Sequence, residues 1–301
     1  MDKLRAIQIF MKIAEAGSLT GAAARLGVSL TAVVRSLAAL EEGLGVRLMQ
    51  RTTRRLTLTE EGRSYLAGCE RVMTALDDAE AALSHSQAMP VGVLRLTGPV
   101  MFGRKHIAPV LVDFLAAHPG MRAEMLFLDR VVDLVEEGMD LAVRIGPLGD
   151  SPLAAVAVGQ AQRVLCASPA YLARCGVPEH PDDLVRHACI RFSGIARDGS
   201  WTFMIDGHII RAPLQPLISV NQIDPAIEAC LQGLGCGLFL DYQVKEALAD
   251  GRLQRLLPSF ETPPVPISLL YAPSRLLPLR VRAFITWAVP RLRARLDPRT
   301  S

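Results

Sequence analysis

Arg35, Arg47, Arg51, Arg54 and Arg55 crowd into one short stretch of the chain, with Ser29, Thr31 and Thr53 beside them. A guanidinium meets phosphate oxygens or a guanine edge through two parallel hydrogen bonds, and a hydroxyl donates to phosphates and bases. Leu30 and Val34 interleave with these groups and bring methyls, which pack only on a thymine methyl or a sugar. The charge is placed accordingly. Residues 1–58 carry nine Lys/Arg against four acids, a net +5, whereas residues 59–89 carry two against six, a net −4. The whole chain has a formal net charge of only +3, so its basicity is gathered around this set, the footprint of phosphate contact. A basic run alone is ordinarily a solvated face. Here it coincides with elements that would present it to double-stranded DNA.

Those elements form a winged helix-turn-helix over residues 1–58. Ser18 can cap a short helix whose apolar face is Leu19, Ala22, Ala23 and Leu26, and Gly27 supplies the turn. Ser29 caps a second helix that turns Ala32, Val33, Leu37 and Leu40 inward. This leaves Ser29, Leu30, Thr31, Val34 and Arg35 near the N-terminal end, on the face where a recognition helix meets base edges. Segments 45–51 and 56–59 read as the two strands of a wing, with Thr52-Thr53-Arg54-Arg55 at its tip. Arg51, Thr53 and Arg54 are its candidate DNA contacts.

Residues 59–89 read as one long linker helix. Thr59 is a suitable cap, and Glu60 and Glu61 suit the positive end of the helix dipole. Leu66, Cys69, Met73, Leu76 and Leu83 recur at the 3-4 spacing of a coiled-coil seam, with Glu80 as a polar intrusion. The spacing predicts pairing of two copies through Leu66, Met73, Leu76 and Leu83. The alternative is a helix lying on its own domain.

From Pro90 the pattern alternates strand and helix and predicts an α/β unit, residues 90–301, with a mostly parallel sheet. Its first lobe (90–162 and 267–301) holds strand Val93–Thr97, helix Ile107–Ala117, strand Met125–Leu128, helix Val131–Glu137 and strand Asp140–Ile145. Strand Ile267–Tyr271 and helix Leu279–Leu296 complete it. The second lobe (163–266) holds strand Val164–Ala167, a helix opening at Ser168-Pro169, a hairpin turned at Asp206-Gly207, helix Pro225–Gln232 and strand Cys236–Leu240.

Residues 4–66 resemble the LysR-type transcriptional regulators. The matching residues are Phe10, Gly17-Ser18-Leu19-Thr20, Ala22-Ala23, Leu26, Ser29, Ala32-Val33, Arg35, Leu40-Glu41, Leu44-Gly45, Leu48 through Arg51, and Leu58-Thr59 through Gly62. Three positions depart from the family pattern: Leu30-Thr31 replace Gln-Pro, Val34 replaces a serine, and Met49 replaces a phenylalanine. The first two bear on base preference. The second unit is similar to the family's effector-binding domain, itself like periplasmic solute-binding proteins, through Gly92–Leu96, Val132–Gly146, Ala167–Leu172 and Gly233–Leu238. The last run follows a helix and precedes a strand, the reverse of a dinucleotide-binding loop. The resemblance implies dimerisation through the linker helix, a tetramer built from such dimers, and therefore a partly palindromic operator.

It also implies a small organic effector between the lobes, where strand ends and helix N-termini favour an anion such as a carboxylate or amino acid. Val100, Met101 and Phe102 stand where relatives often carry hydroxyl donors, so backbone and shape must do more here. Arg144 suits a ligand carboxylate or, equally, an ion pair with Asp140 or Glu137. Ser168, Asn221 and Asp224 divide between capping and binding, and Phe127 and Phe239 read as core.

Catalytic chemistry finds little footing. The six histidines form no metal-ligand spacing, and no nucleophile elbow or phosphate-binding loop occurs. An enzyme on the α/β unit would rest on architecture alone. The six cysteines lack CxxC spacing, so neither a metal nor a disulfide framework is expected, and no cofactor. Cys189 stands where some redox-sensing relatives carry a reactive thiol, which keeps a redox-responsive regulator as the alternative. Without a signal-peptide pattern or an apolar run of ~18 residues, a cytoplasmic protein is expected.

Overall fold

Three capped helices carry the first unit. In a computed structural model, which describes residues 2–51, 56–83, 89–149, 151–193, 200–212, 214–274 and 277–296, the chain divides into units of residues 1–88 and 89–301. Helix α1 (Lys3–Ala16) starts on Asp2, whose carboxylate accepts from the amides of Leu4 and Arg5. Ser18 Oγ accepts from the Gly21 amide to open α2 (Leu19–Leu26), and Ser29 Oγ from the Ala32 amide to open α3 (Leu30–Leu44). Gly27 closes α2 in the left-handed region at φ 64. The three helices bury Phe10, Ile13, Ala22, Val33, Leu37 and Leu40 in one core, which Leu48 joins. Ala32, expected inward, is exposed. It precedes Val33 by one residue, and a stripe that narrow has room for one of them.

The wing is a two-stranded antiparallel ribbon of β1 (Met49–Arg51) and β2 (Leu56–Leu58), with Met49 opposite Leu58 and Arg51 opposite Leu56. It is shorter than the sequence suggested. The amides of Leu48 and Met49 are taken by the Glu41 carboxylate rather than by a partner strand. The wing tip at 52–55 lies outside the described residues, as do the calls on Thr53 and Arg54, and nothing is described of the Arg51 side chain.

Helix α4 (Glu60–Leu83) follows, with Thr59 Oγ1 accepting from the Gly62 amide at 2.8 Å. Its first half also packs on its own domain. Leu66 and Met73 pack with Tyr65 against the winged core, and Cys69 is buried within that core. The same 3-4 spacing serves intramolecular packing as well as a coiled coil, which is why sequence could not separate them. Leu76 is half-buried, Val72 is exposed, and the Leu83 side chain lies outside the description.

The second unit is built on two five-stranded sheets. The first lobe runs β3 (Gly92–Gly98), α5 (Val100–Phe102), a π-helical turn at Gly103–Ile107, α6 (Ala108–Ala117), β4 (Met121–Phe127), β5 (Leu141–Ile145) and β6 (Ala154–Ala161). The second runs β7 (Arg163–Ala167), α7 (Pro169–Cys175), β8 (Ala188–Phe192), the hairpin β9 (Trp201–Ile205) and β10 (His208–Ala212), then β11 (Gln215–Val220), α8 (Ile223–Leu231), β12 (Cys236–Leu240), α9 (Asp241–Ala249) and β13 (Gln254–Leu256). The chain returns through β14 (Val265–Tyr271) and ends in α10 (Leu279–Leu296).

The sheet orders are β4-β3-β5-β14-β6 and β11-β8-β12-β7-β13. Strands β3, β4 and β5 are parallel, as expected, but β14 runs antiparallel to β5 and β6. The two crossovers cause this, because a strand returning from the other lobe enters the sheet from the opposite end. Residues 131–137 are not the expected helix. Asp133 Oδ1 accepts from the amides of Val135 and Glu136 and folds the segment into turns. Helix α10 is anchored by Arg280, buried, whose guanidinium donates to Asp140 at 2.7 Å, while Asp140 also accepts from the Arg95 amide at 2.9 Å. Among the described residues no single helix is long and apolar enough to cross a membrane.

Gly62 has no room for a side chain, since a Cβ there would stand 1.9 Å from the Leu48 carbonyl oxygen. Gly62→Ala is expected to destabilise the winged unit by about 1–3 kcal/mol through forced backbone displacement. Thermal unfolding of the variant should show an early transition. An unshifted melting curve would contradict the close approach.

Candidate functional site

The N-terminal end of α3 presents Leu30 (45% exposed), Thr31, Val34 (38% exposed) and Arg35 on its outer face. The opposite face buries Val33, Leu37 and Leu40, so the helix cannot rotate without exposing its core stripe. Both aliphatic side chains leave a large part of their surface open to water at the helix start and lie outside the buried core of their domain. They fit an apolar surface supplied from outside, and a groove lined by thymine methyls is one. Ser29 is exposed with its oxygen engaged in capping, which leaves its hydroxyl proton available to a phosphate.

In the second unit the segment 100–107 lies between the lobes. Phe102 belongs to the first-lobe core, whereas Met101 is buried among second-lobe residues that include Val164, Ile190 and Phe239. Gly103 lets the helix sit on the Phe127 ring, where a Cβ would meet ring carbons at 2.4 Å. Two ion pairs join the lobes, Arg104 to Asp224 at 3.2 Å and Lys105 to Glu246 at 3.2 Å. They border an open groove of about 540 Å³ that Met101, Glu228, Gln243 and Arg252 also line.

The helix start that was expected to receive a ligand anion is already occupied. The Val100 amide donates to Asp129 Oδ1 at 3.0 Å. Asp129 Oδ2 is buried with no hydrogen-bond partner among the described residues. Burial pushes this carboxyl up and the Val100 amide pulls it down, with Asp224 adding a further upward push. Sequence reasoning passed over Asp129, because nothing in its local pattern marks it.

The other expected ligand residues are dispersed. Of the six, only Met101 lines the groove; Val100, Phe102, Arg144, Ser168 and Asn221 do not. Ser168 is buried and its Oγ accepts from the Tyr171 amide, so it caps α7. Asn221 is exposed just before α8. Arg144 stands half-buried on β5 opposite Ser268. The ion pair expected for it with Asp140 or Glu137 does not form: Asp140 is held by Arg280, and Glu137 accepts a two-point bond from Arg130.

Phe127 is half-buried against the first-lobe core and Phe239 is fully buried. Cys189 is fully buried, its thiol donating to carbonyls of Leu184 and His187. Burial also pushes the Cys236 thiol well up, and Cys230 and burial do the same to Cys166, so these sulfurs stay protonated and poorly nucleophilic. Cys175 is exposed. Among the described residues no cluster could hold a metal ion.

His106 packs against Phe102 (centroids 4.7 Å apart) and edge-on to Tyr242 at 5.5 Å. Burial, then the Lys105 and Arg295 charges, push its imidazole down to about 4, so it is neutral at pH 7. A histidine whose folded value lies below the unfolded one near 6.5 contributes stability that is full above pH 6.5 and is lost as pH falls toward 4. His187, lowered by burial, acts in the same direction. Calorimetric unfolding of the full chain should therefore show destabilisation across that window, and His106→Phe should flatten most of it. A variant as acid-sensitive as the parent would remove His106 as the cause.

Comparison with known proteins agrees with this architecture. Residues 4–63 match the family described as "Bacterial regulatory helix-turn-helix protein, lysR family", and residues 87–293 match "LysR substrate binding domain". The uncharacterized HTH-type transcriptional regulator YhjC of Escherichia coli (strain K12) is 35% identical over 300 residues, covering 99% of this chain and 100% of its own. The full-length Vibrio cholerae virulence activator AphB aligns with a TM-score of 0.62 at 26% identity, covering 95% of this chain and 98% of its own. CrgA, a LysR-type regulator from Neisseria meningitidis, aligns with a TM-score of 0.61 at 29% identity, covering 96% and 98%. With both domains matched in order and a relative aligned from end to end, the chain belongs to the LysR family of bacterial transcriptional regulators, a DNA-binding helix-turn-helix followed by a two-lobed effector-binding domain.

Proposed function

We propose that the first turns of α3 enter the major groove with Leu30, Thr31, Val34 and Arg35 against the bases, while Ser29 and the wing residues Arg51, Thr53 and Arg54 hold the phosphates. The observation that carries this is the exposure of Leu30 and Val34 beside Thr31 and Arg35 on a helix whose other face is fully buried. Residues 1–58 act as the DNA-binding domain, 59–89 as the linker, and 90–301 as the effector domain, in a protein of the cytoplasm. Two copies pair through α4, with Leu66, Met73, Leu76 and Leu83 at the seam. Leu66 and Met73 are half-buried against the winged core and keep part of their surface for a partner helix. Pairing produces a dimer that reads a partly palindromic operator, and two dimers make the tetramer.

Selection from randomised half-sites at increasing salt tests the assignment: a regulator shows a steep salt slope and a preferred, two-fold sequence. Leu76→Glu would bury charge at the seam, costing several kcal/mol, and should abolish cooperative binding to the paired site. Normal dimeric binding by this variant would refute the seam.

An effector bound between the lobes then biases their closure and, through it, the spacing of the DNA-binding heads, a population shift. Arg144 and Asn221 are retained as polar candidates near the strand ends. Of the two chemistries expected, an amino acid fits better than a simple carboxylate. The groove is bordered by two cation–carboxylate pairs, Arg104–Asp224 and Lys105–Glu246, and a zwitterion can exchange with such a pair charge for charge. In a thermal-shift screen, amino acids should raise the melting temperature and their deaminated analogues should not. The reverse ranking would refute the amine preference.

A further inference from the structure

Glu41 is an acid near the C-terminal end of the recognition helix, where a carboxylate opposes the helix dipole and gains nothing from it. Its side chain is nonetheless only 12% exposed. Oε1 accepts from two successive amides, Leu48 at 2.8 Å and Met49 at 3.0 Å. Oε2 stands 4.0 Å from the Arg47 guanidinium, itself 85% exposed. Residues 47–49 are where the chain leaves α3 and enters the wing. From the other side Thr59 closes the same segment, its amide donating to the Leu48 carbonyl at 3.0 Å and its hydroxyl to the Arg47 carbonyl at 2.7 Å. Leu48 itself is fully buried. One carboxylate on α3 thus holds the root of the wing, and no other α3 side chain is recorded bonding to it among the described residues.

We propose that Glu41 is a positioning residue for DNA binding: it fixes the angle between the recognition helix and the wing, so that both meet one duplex, and touches no DNA itself. Two charge-assisted bonds from one oxygen define a direction as well as a distance. Without them the two amides lose their acceptor, and the wing loses its fixed bearing on α3. Any loss in DNA affinity then passes entirely through the wing. This rests on the wing contact proposed for Arg54.

The test is a double-mutant cycle in the full-length chain, read as operator affinity against salt. Glu41→Ala should weaken binding about tenfold and lower the salt slope by roughly one, the signature of a lost phosphate contact. On an Arg54→Ala background the same change should cost clearly less than in the parent, because one of the wing contacts through which it acts is already gone. Glu41→Gln keeps the acceptor oxygen and should stay within about threefold of the parent at the parental slope. A general loss of folded protein would lower affinity without changing the slope. A parental slope for Glu41→Ala, or full additivity with Arg54→Ala, overturns the proposal. So does a Glu41→Gln that loses affinity while its slope is unchanged, which decides the matter even where Glu41→Ala does not fold. If Arg54→Ala alone binds as the parent does, the wing contact fails and the proposal falls with it, an outcome visible before Glu41 is altered.

Discussion

A helix can offer one face to a partner only if its opposite face is held so firmly that rotation is forbidden. Here the hold is the burial of Val33, Leu37 and Leu40 against Phe10, Ile13 and Ala22. Rotating α3 by one residue would bring the exposed Val34 and Ala38 into the core and expel Val33 and Leu37, so the apolar stripe fixes the outer face by exclusion. The caps fix the remaining freedom, translation along the axis. Ser29 defines where α3 begins, and with it which side chains occupy the first turn. Everything presented at Leu30, Thr31, Val34 and Arg35 follows from this burial and that cap.

The second unit solves a different problem, since two lobes must share a ligand and yet retain separate cores. Segment 100–107 belongs to both. Phe102 packs with the first lobe and Met101 with the second, so adjacent residues of one helix are claimed by two cores. Any change in lobe closure must move one of them relative to its neighbours. Asp140 keeps the first lobe itself rigid, tying the β3 backbone at Arg95 to Arg280 of α10. A buried pair of this kind adds little net stability but is costly to break from one side, which suits a fixed frame.

Much of this was legible in the sequence, for reasons that differ by element. The α2–α3 pair was readable because Ser18, Gly27 and Ser29 are local signals, sufficient without knowledge of the rest of the chain. The hairpin at Asp206-Gly207 was readable likewise, both residues taking positive φ. What failed depended on distant partners. Residues 131–137 carry helical spacing, but Asp133 satisfies the amides that a helix would use. The helix before α6 begins at Val100 because Asp129, far along the chain, receives that amide. The antiparallel placement of β14 follows from the crossovers, which no local pattern encodes. In α4 the 3-4 spacing does not say which partner it serves, and Leu66 and Met73 are half-buried against their own domain. Of the six expected ligand residues, Met101 lines the groove and the other five lie elsewhere in the second unit.

The cations bordering the groove are engaged by the chain's own carboxylates. Arg104 and Lys105 were not candidates, yet they border it, and both are already neutralised across the lobes by Asp224 and Glu246. A simple anion would have to strip a carboxylate from one of these cations and leave that carboxylate unpaired, adding a further negative charge to a groove that Asp224, Glu228 and Glu246 already line. A simple cation would do the converse to Arg104 or Lys105. A zwitterion can exchange with a pair charge for charge, leaving the local sum unchanged. Since each of these pairs joins the two lobes, such an exchange also severs a tether between them. A ligand that exchanged with either pair would therefore act on lobe closure through the same atoms that balance the groove's charge.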